Sequence, residues 1–230
     1  MQHCWICDIG LTEYDDAWML QKRLGDLRRE EAIDSVILFT EHMPVITCGS
    51  TSDKNNILWS ESEIKKHGIA VIDSDRGGDV TLHCPGQLVA YMIFKLDYRK
   101  GIVRDLVKEL ETSVINTLAN YGLDTVRKDS HPGVFKDDRQ ISAIGMHLRQ
   151  SVTSHGISLN VKPDLELFDS INPCGLKGVR ATSMEKELNK EVDMTDVKNA
   201  LANELKTIFD LEIEEISSDQ IREACSGKNA

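Results

Sequence analysis

Apolar residues recur along the chain with two different periods, and the switches between them predict its elements. Positions 4–9 alternate in the manner of a half-buried strand. Ala17, Leu20, Leu24 and Leu27 then repeat at helical spacing, and Thr12 with Asp15 three positions on predicts a capping box at the start of that helix. Residues 36–40 form a short apolar run, the pattern of a buried strand. Ser60 predicts the cap of a short helix ending at Gly68, and residues 69–72, 80–83 and 88–96 read as strands. Val103, Leu106, Val107, Leu110, Val114 and Leu118 stripe a helix over 103–121, with Gly122 suited to the position just past its end. Val134-Phe135 and residues 141–148 flank the polar turn Lys136-Asp137-Asp138-Arg139, which predicts a hairpin; 152–161 is a further extended segment. A last helix is expected from Thr195, with Val197, Leu201, Leu205 and Ile208 facing inward. Hairpins in places and helical crossovers in others predict an α+β fold, a mixed β-sheet with flanking helices. One domain is expected over residues 1–216, followed by a polar, frayed tail over 217–230.

Composition narrows the function more than the fold. The 230 residues are 40% hydrophobic and 28% charged, as in an ordinary globular protein, and the formal net charge is -11. Non-specific nucleic-acid binding needs Lys and Arg to neutralise phosphates, so so acidic a chain is not expected to bind nucleic acid. No apolar run reaches the ~20 residues of a membrane-spanning helix, and no membrane association is expected. Cys4, Cys7, Cys48, Cys84, Cys174 and Cys225 follow an N-terminus without a basic and then apolar leader, so cytoplasmic free thiols are expected rather than a disulfide framework.

Three clusters carry the chemistry. In Arg76-Gly77-Gly78-Asp79-Val80-Thr81-Leu82-His83 the paired glycines free the backbone to approach a ligand, Arg76 is suited to an anion or carbonyl, and His83 to hydrogen bonding or proton exchange. In Asn172-Pro173-Cys174-Gly175 a thiol sits on a constrained turn rather than inside a regular element. A thiolate there is a strong nucleophile whose thioester stays reactive. The third cluster joins Gln140-Ile141-Ser142-Ala143-Ile144-Gly145 to Ser154-His155-Gly156-Ile157-Ser158. Small residues on neighbouring strands allow a slender apolar chain to lie against the backbone. Each cluster also has a plainer reading: a tight turn with a core histidine, a buried structural cysteine, and a strand bent at its glycines. Cys4-x-x-Cys7 has metal-ligand spacing, but it falls on an alternating strand with no second ligand pair, so no metal is expected. Cys84 is the second choice for a reactive thiol.

In this order the clusters resemble the lipoyl(octanoyl) transferase family. The likeness rests on RGGDVTLHCPGQLVAY, HPGVFKDDRQISAIGMHLRQSVTSHGISLNV and INPCGLKGVRATSM, with Glu41-His42-Met43-Pro44-Val45-Ile46-Thr47 similar to the family's first loop; it covers residues 36–184. The resemblance implies the fold of biotin protein ligase and lipoate ligase catalytic domains. It also implies that octanoyl passes from acyl carrier protein to a thioester on Cys174, and then to a lysine of lipoyl domains or of glycine-cleavage H protein. Substrate-binding positions carry over onto Arg76, Gly77, Gly78, Asp79, Val80, Thr81, Leu82 and His83, onto Ala143, Ile144 and Gly145, and onto Gly156, Ile157 and Ser158. No cofactor is implied, because a thioester is already activated.

One departure stands out. The family places a lysine just before Ile-x-Ala-x-Gly, where it lowers the pKa of the catalytic cysteine. Here that position is Gln140, a hydrogen-bond donor without charge. Smaller departures are Leu82 in place of an aromatic residue and Ser50 where an arginine is common. Three explanations stand open: a slower enzyme, a lysine exchanged to trap a state, or another basic group (His83, His155, Lys177 or Arg139) in the lysine's place. Two other functions stay open, a non-catalytic acyl or lipoyl-domain binding protein and a lipoate- or biotin-ligase-like enzyme. Arg127, Lys128, Lys136, Arg139 and Arg149 cluster near the hairpin as a candidate basic face for acidic protein partners.

Overall fold

In the computed structural model, which describes residues 2–97, 101–128 and 131–227, the alternation of the first strand has a direct cause. β1 (Gln2–Thr12) lies between two cores. Cys4 and Ile6 enter the core under the two long helices α3 (Ile102–Asn120) and α5 (Met194–Ile208), while Trp5 and Cys7 face α1 (Tyr14–Arg29). Cys4 and Cys7 therefore project from opposite faces of one strand and cannot chelate a common ion.

The remaining elements, in chain order, are β2 (Ser35–His42), β3 (Val45–Cys48), α2 (Glu61–Lys66), β4 (Ala70–Asp73), β5 (Val80–His83), β6 (Gln87–Ile93), β7 (Val126–Lys128), β8 (His131–Lys136), β9 (Arg139–Arg149), β10 (Val152–Asn160), α4 (Met184–Leu188), β11 (Leu211–Glu215) and α6 (Ser218–Ser226). An eight-stranded sheet runs β11-β1-β2-β6-β10-β9-β8-β7, and a three-stranded sheet runs β4-β3-β5. β1 is parallel to both β11 and β2, and the rest of the large sheet is antiparallel, so the sheet is mixed as expected. The small sheet carries its own core, in which Ile46, Val80, Leu82 and Cys84 pack with Phe168 and Ile171.

Two expectations are corrected. Thr12 does not cap α1. It is the last residue of β1, paired with His42, and its hydroxyl lies 3.0 Å from Thr40 Oγ1; Glu13 is the N-cap and makes no side-chain cap bond. Strand pairing consumed the residue that would otherwise cap. In the tail expected to fray over 217–230, of which 228–230 lie outside the described residues, Ser218–Ser226 instead form α6, with a capping box between Ser217 and Gln220 and Ile221 fully buried against α1.

Gly156 shows how tightly the central strands approach. A Cβ there would overlap the carbonyl oxygen of Ala90 on β6, and the preceding residue, His155, has φ of 60° inside a strand. Gly156→Ala is expected to destabilise the fold by about 3 kcal/mol through forced separation of β10 from β6. Urea unfolding measures it, and an unchanged midpoint would contradict the close approach.

Candidate active site

The loop between β4 and β5 is drawn inward by Arg76, which is 7% exposed. Its Nε donates to Thr47 Oγ1 at 2.8 Å, Nη2 to the carbonyls of Thr47 and Asp79 at 2.6 Å each, and Nη1 to the carbonyl of Gly77 at 3.1 Å. Four of its five donors are thus spent on the protein, leaving one Nη1 hydrogen for a ligand. The glycines beside it approach backbone: Gly77 N donates to Met146 O on β9, and a side chain on Gly49 would collide with Gly78 O.

Cys174 sits in a left-handed conformation, φ 54° and ψ 25°, on the turn Pro173–Gly175. Gly175 also has positive φ, and a Cβ on it would collide with Asp79 Oδ2. Asp79 Oδ2 accepts from Asn56 Nδ2 at 2.7 Å, and its Oδ1 accepts from the backbone N–H of Asp53 and Val80 at 2.9 and 2.7 Å. Asn172 N in turn donates to Asn56 O at 2.8 Å. This network fixes the cysteine turn to the double-glycine loop.

Gln140, 4% exposed, reaches the sulfur: its Nε2 lies 3.6 Å from Cys174 Sγ. The start of β9 is pinned on the other side by Gln140 N donating to Arg180 O and Thr182 N donating to Gln140 O, both at 2.9 Å. Burial pushes the Cys174 thiol above its ordinary pKa, while the Gln140 hydrogen bond and the charge of Arg76 pull the other way. Cys84, by contrast, is fully buried in the small-sheet core and pushed up to about 12 by that burial, whereas Cys174 is half-buried.

A cavity of about 460 Å³ opens at the sulfur. Arg76, Gly77, Gly78, Asp79, Thr81 and His83 line it from the first cluster; Ala143, Ile144, Gly145, Gly156, Ile157 and Ser158 line it from β9 and β10. Gly145 pairs with Gly156 and Ala143 with Ser158 across the two strands, so small side chains sit in facing pairs. Val80 and Leu82 alternate away into the small-sheet core and do not line the cavity, and Gln140 lies in a recess beside it. Tyr14, Tyr91, Val103, Val107 and Met146 are among the other residues of its walls. They carried no signal in the sequence, since each looks like a core residue of its element.

The groups expected to replace the missing lysine are placed as follows. His83 Nδ1 lies 2.6 Å from Gln87 Oε1, and Gln87 Nε2 already donates to Leu82 O and Asn160 Oδ1. His83 Nδ1 is therefore the donor, and burial lowers its pKa to about 3. His155 Nε2 lies 2.7 Å from Asp75 Oδ1, and burial lowers its pKa too. Both imidazoles are neutral at physiological pH. Arg139 pairs with Glu187 at 2.8 Å, and Lys177 is exposed. Among the described residues, Arg76 supplies a positive charge that lowers the Cys174 pKa against the effect of burial. Of the expected basic face, Arg127 pairs with Glu111, Lys128 with Asp138 and Arg139 with Glu187.

Residues 13–206 match the family described as the lipoyl protein ligase A/B catalytic domain. An octanoyltransferase of Dictyoglomus thermophilum is 46% identical over 81% of this chain and 78% of that protein. One from Chloroflexus aggregans is 42% identical over 88% of this chain and 93% of that protein. The chain belongs to the octanoyltransferase family. Solved structures share the fold with this octanoyltransferase. A lipoate-protein ligase A bound with ATP superposes with a TM-score of 0.74 at 15% identity, covering 98% of this chain and 93% of that one. A biotin protein ligase from Aquifex aeolicus reaches 0.51 at 14% identity, covering 91% and 70%. No helix among the described residues of the octanoyltransferase is long and apolar enough to cross a membrane.

Proposed function

We propose that this enzyme moves an octanoyl group from a carrier-protein thioester to a lysine of a lipoyl domain or H protein, through a thioester on Cys174. The observation that carries the reading is a half-buried sulfur at the wall of an acyl-sized cavity whose strand side joins facing pairs of glycine, alanine and serine to Ile144 and Ile157. The thiolate attacks the acyl carbonyl and the carrier thiol leaves; Gln140 Nε2 and the spare Nη1 hydrogen of Arg76 are the donors offered to the sulfur and the developing oxyanion. The acceptor amine then attacks the enzyme thioester, and Cys174 leaves as the thiolate. Relatives at 46% and 42% identity are octanoyltransferases, whereas the ATP-bound ligase stands at 15%, which favours transfer over ATP-dependent ligation.

Incubation with octanoyl carrier protein followed by peptide mass spectrometry tests the reading: an octanoyl adduct on Cys174 is expected, and its absence under conditions that leave the fold intact would refute it. The pH profile follows from the same sulfur. Because burial holds the thiol above its ordinary pKa, the reactive thiolate is a minority species at neutral pH. Loading is expected to rise about tenfold per pH unit between neutrality and the alkaline limit of stability. A plateau beginning near neutral pH would show that the thiol is ionised there.

A further inference from the structure

Asp75 separates the acyl cavity from a second cleft of about 190 Å³, which lies between α1 and the end of the β9–β10 hairpin. Two donors in this cleft have no partner among the described residues. Gln21, 1% exposed, turns its Oε1 to the backbone N–H of His155 at 2.8 Å, and this fixes its Nε2 as the atom left over. Arg29 Nε is likewise buried and unpaired, although its Nη1 donates to Asp26. A buried donor left unmade is costly, and two such donors on residues lining one cleft point to an acceptor there.

The charges point the same way. Lys22 and Arg149 stand at the walls, and Lys22 Nζ lies 3.5 Å over the ring of Trp18. Of the two carboxylates there, Asp26 Oδ1 takes Arg29, and Asp75 Oδ1 takes both His155 Nε2 and, at 2.9 Å, Trp18 Nε1. Three cations, Lys22, Arg29 and Arg149, line the cleft against two carboxylates, in a chain whose net charge is -11.

We infer that the cleft of Gln21, Lys22, Arg29 and Arg149 binds a phosphoryl oxyanion, at a site distinct from Cys174. Its volume holds a phosphate group with room for part of a substituent, so free phosphate and an organic phosphate monoester share the same recognition. Trp18, one face of which borders the cleft, makes occupancy visible.

Titration of the full chain with sodium phosphate, with sodium chloride at matched ionic strength and with adenosine 5′-monophosphate, followed by calorimetry and tryptophan fluorescence, tests this. Saturable binding of phosphate over chloride is expected, with a fluorescence change that Trp18→Phe removes. Gln21→Glu, which keeps an oxygen for His155 N and replaces the donor by a carboxylate, is expected to weaken binding roughly tenfold or more. Arg149→Glu, on an exposed side chain, tests the same charge without touching the interior and should weaken binding several-fold. Tighter binding of the monoester than of phosphate identifies an organic phosphate as the ligand; equal or weaker binding identifies the free ion. A response to chloride equal to that for phosphate, or binding unaffected in both variants, overturns the proposal.

Discussion

Gln140→Lys is expected to raise the rate of acyl loading onto Cys174 about tenfold at neutral pH and to move the alkaline limb of the pH profile downward. The amide nitrogen of Gln140 is already 3.6 Å from the sulfur, so an ammonium built from the same strand position reaches it without moving β9. A positive charge at that distance favours the thiolate, and a fall of about two pKa units raises its fraction at neutral pH about a hundredfold. Part of this is lost because a less basic thiolate is a poorer nucleophile, with a Brønsted coefficient of about 0.4–0.5, which leaves a net gain of about tenfold. Stopped-flow loading from a small octanoyl thioester across pH measures both effects. A variant with an unshifted profile would mean that the thiol is already ionised with Arg76 as its cation. Stability should fall slightly, since the recess holding Gln140 is buried and the new charge must be desolvated.

Cys174→Ala is expected to abolish the adduct and lower overall transfer by at least ~10⁴-fold, with the fold intact. Alanine accepts the φ of 54° at this position about as well as cysteine, so the stability change should stay below about 1 kcal/mol. Cys174→Ser separates nucleophilicity from shape. A hydroxyl at the same place is a far weaker nucleophile at neutral pH, and any ester it forms resists the acceptor amine, so loading is slow and the second transfer slower still. Retention of octanoyl transfer in Cys174→Ala would move the chemistry away from this sulfur altogether. Cys84, sealed at 0% exposure, would not inherit it.

The inner strands of the large sheet were readable as apolar runs buried on both faces and the helices as single stripes, whereas the short, largely exposed edge strands β7 and β11 left no pattern. The cysteine turn was readable for another reason: Pro173, Cys174 and Gly175 are special residues in adjacent positions, as are Gly77 and Gly78. What stayed hidden had no such mark. α6 buries a single isoleucine, too little for a periodic signal, and its capping box of Ser217 and Gln220 was the one available clue. Val80 and Leu82 fell inside a motif whose alternate residues turn toward the small-sheet core, so the motif's chemistry and its burial separate at every second position. Tyr14, Tyr91 and Met146 line the cavity from elements far apart in sequence, and only the folded topology brings them to it. The commitment of Arg76 to Thr47, Gly77 and Asp79 is also a tertiary fact: the guanidinium that reads as a ligand clamp in sequence serves mostly as a brace.

Asp79 ties three stretches that are remote along the chain, because its carboxylate holds the turn at Asp53 and Asn56 and fills the space that any side chain at position 175 would need. Cys174 therefore rides on the same rivet as the double-glycine bend. Removing the Asp79 carboxylate would therefore loosen two walls of the cavity at once, the cysteine turn and the glycine bend.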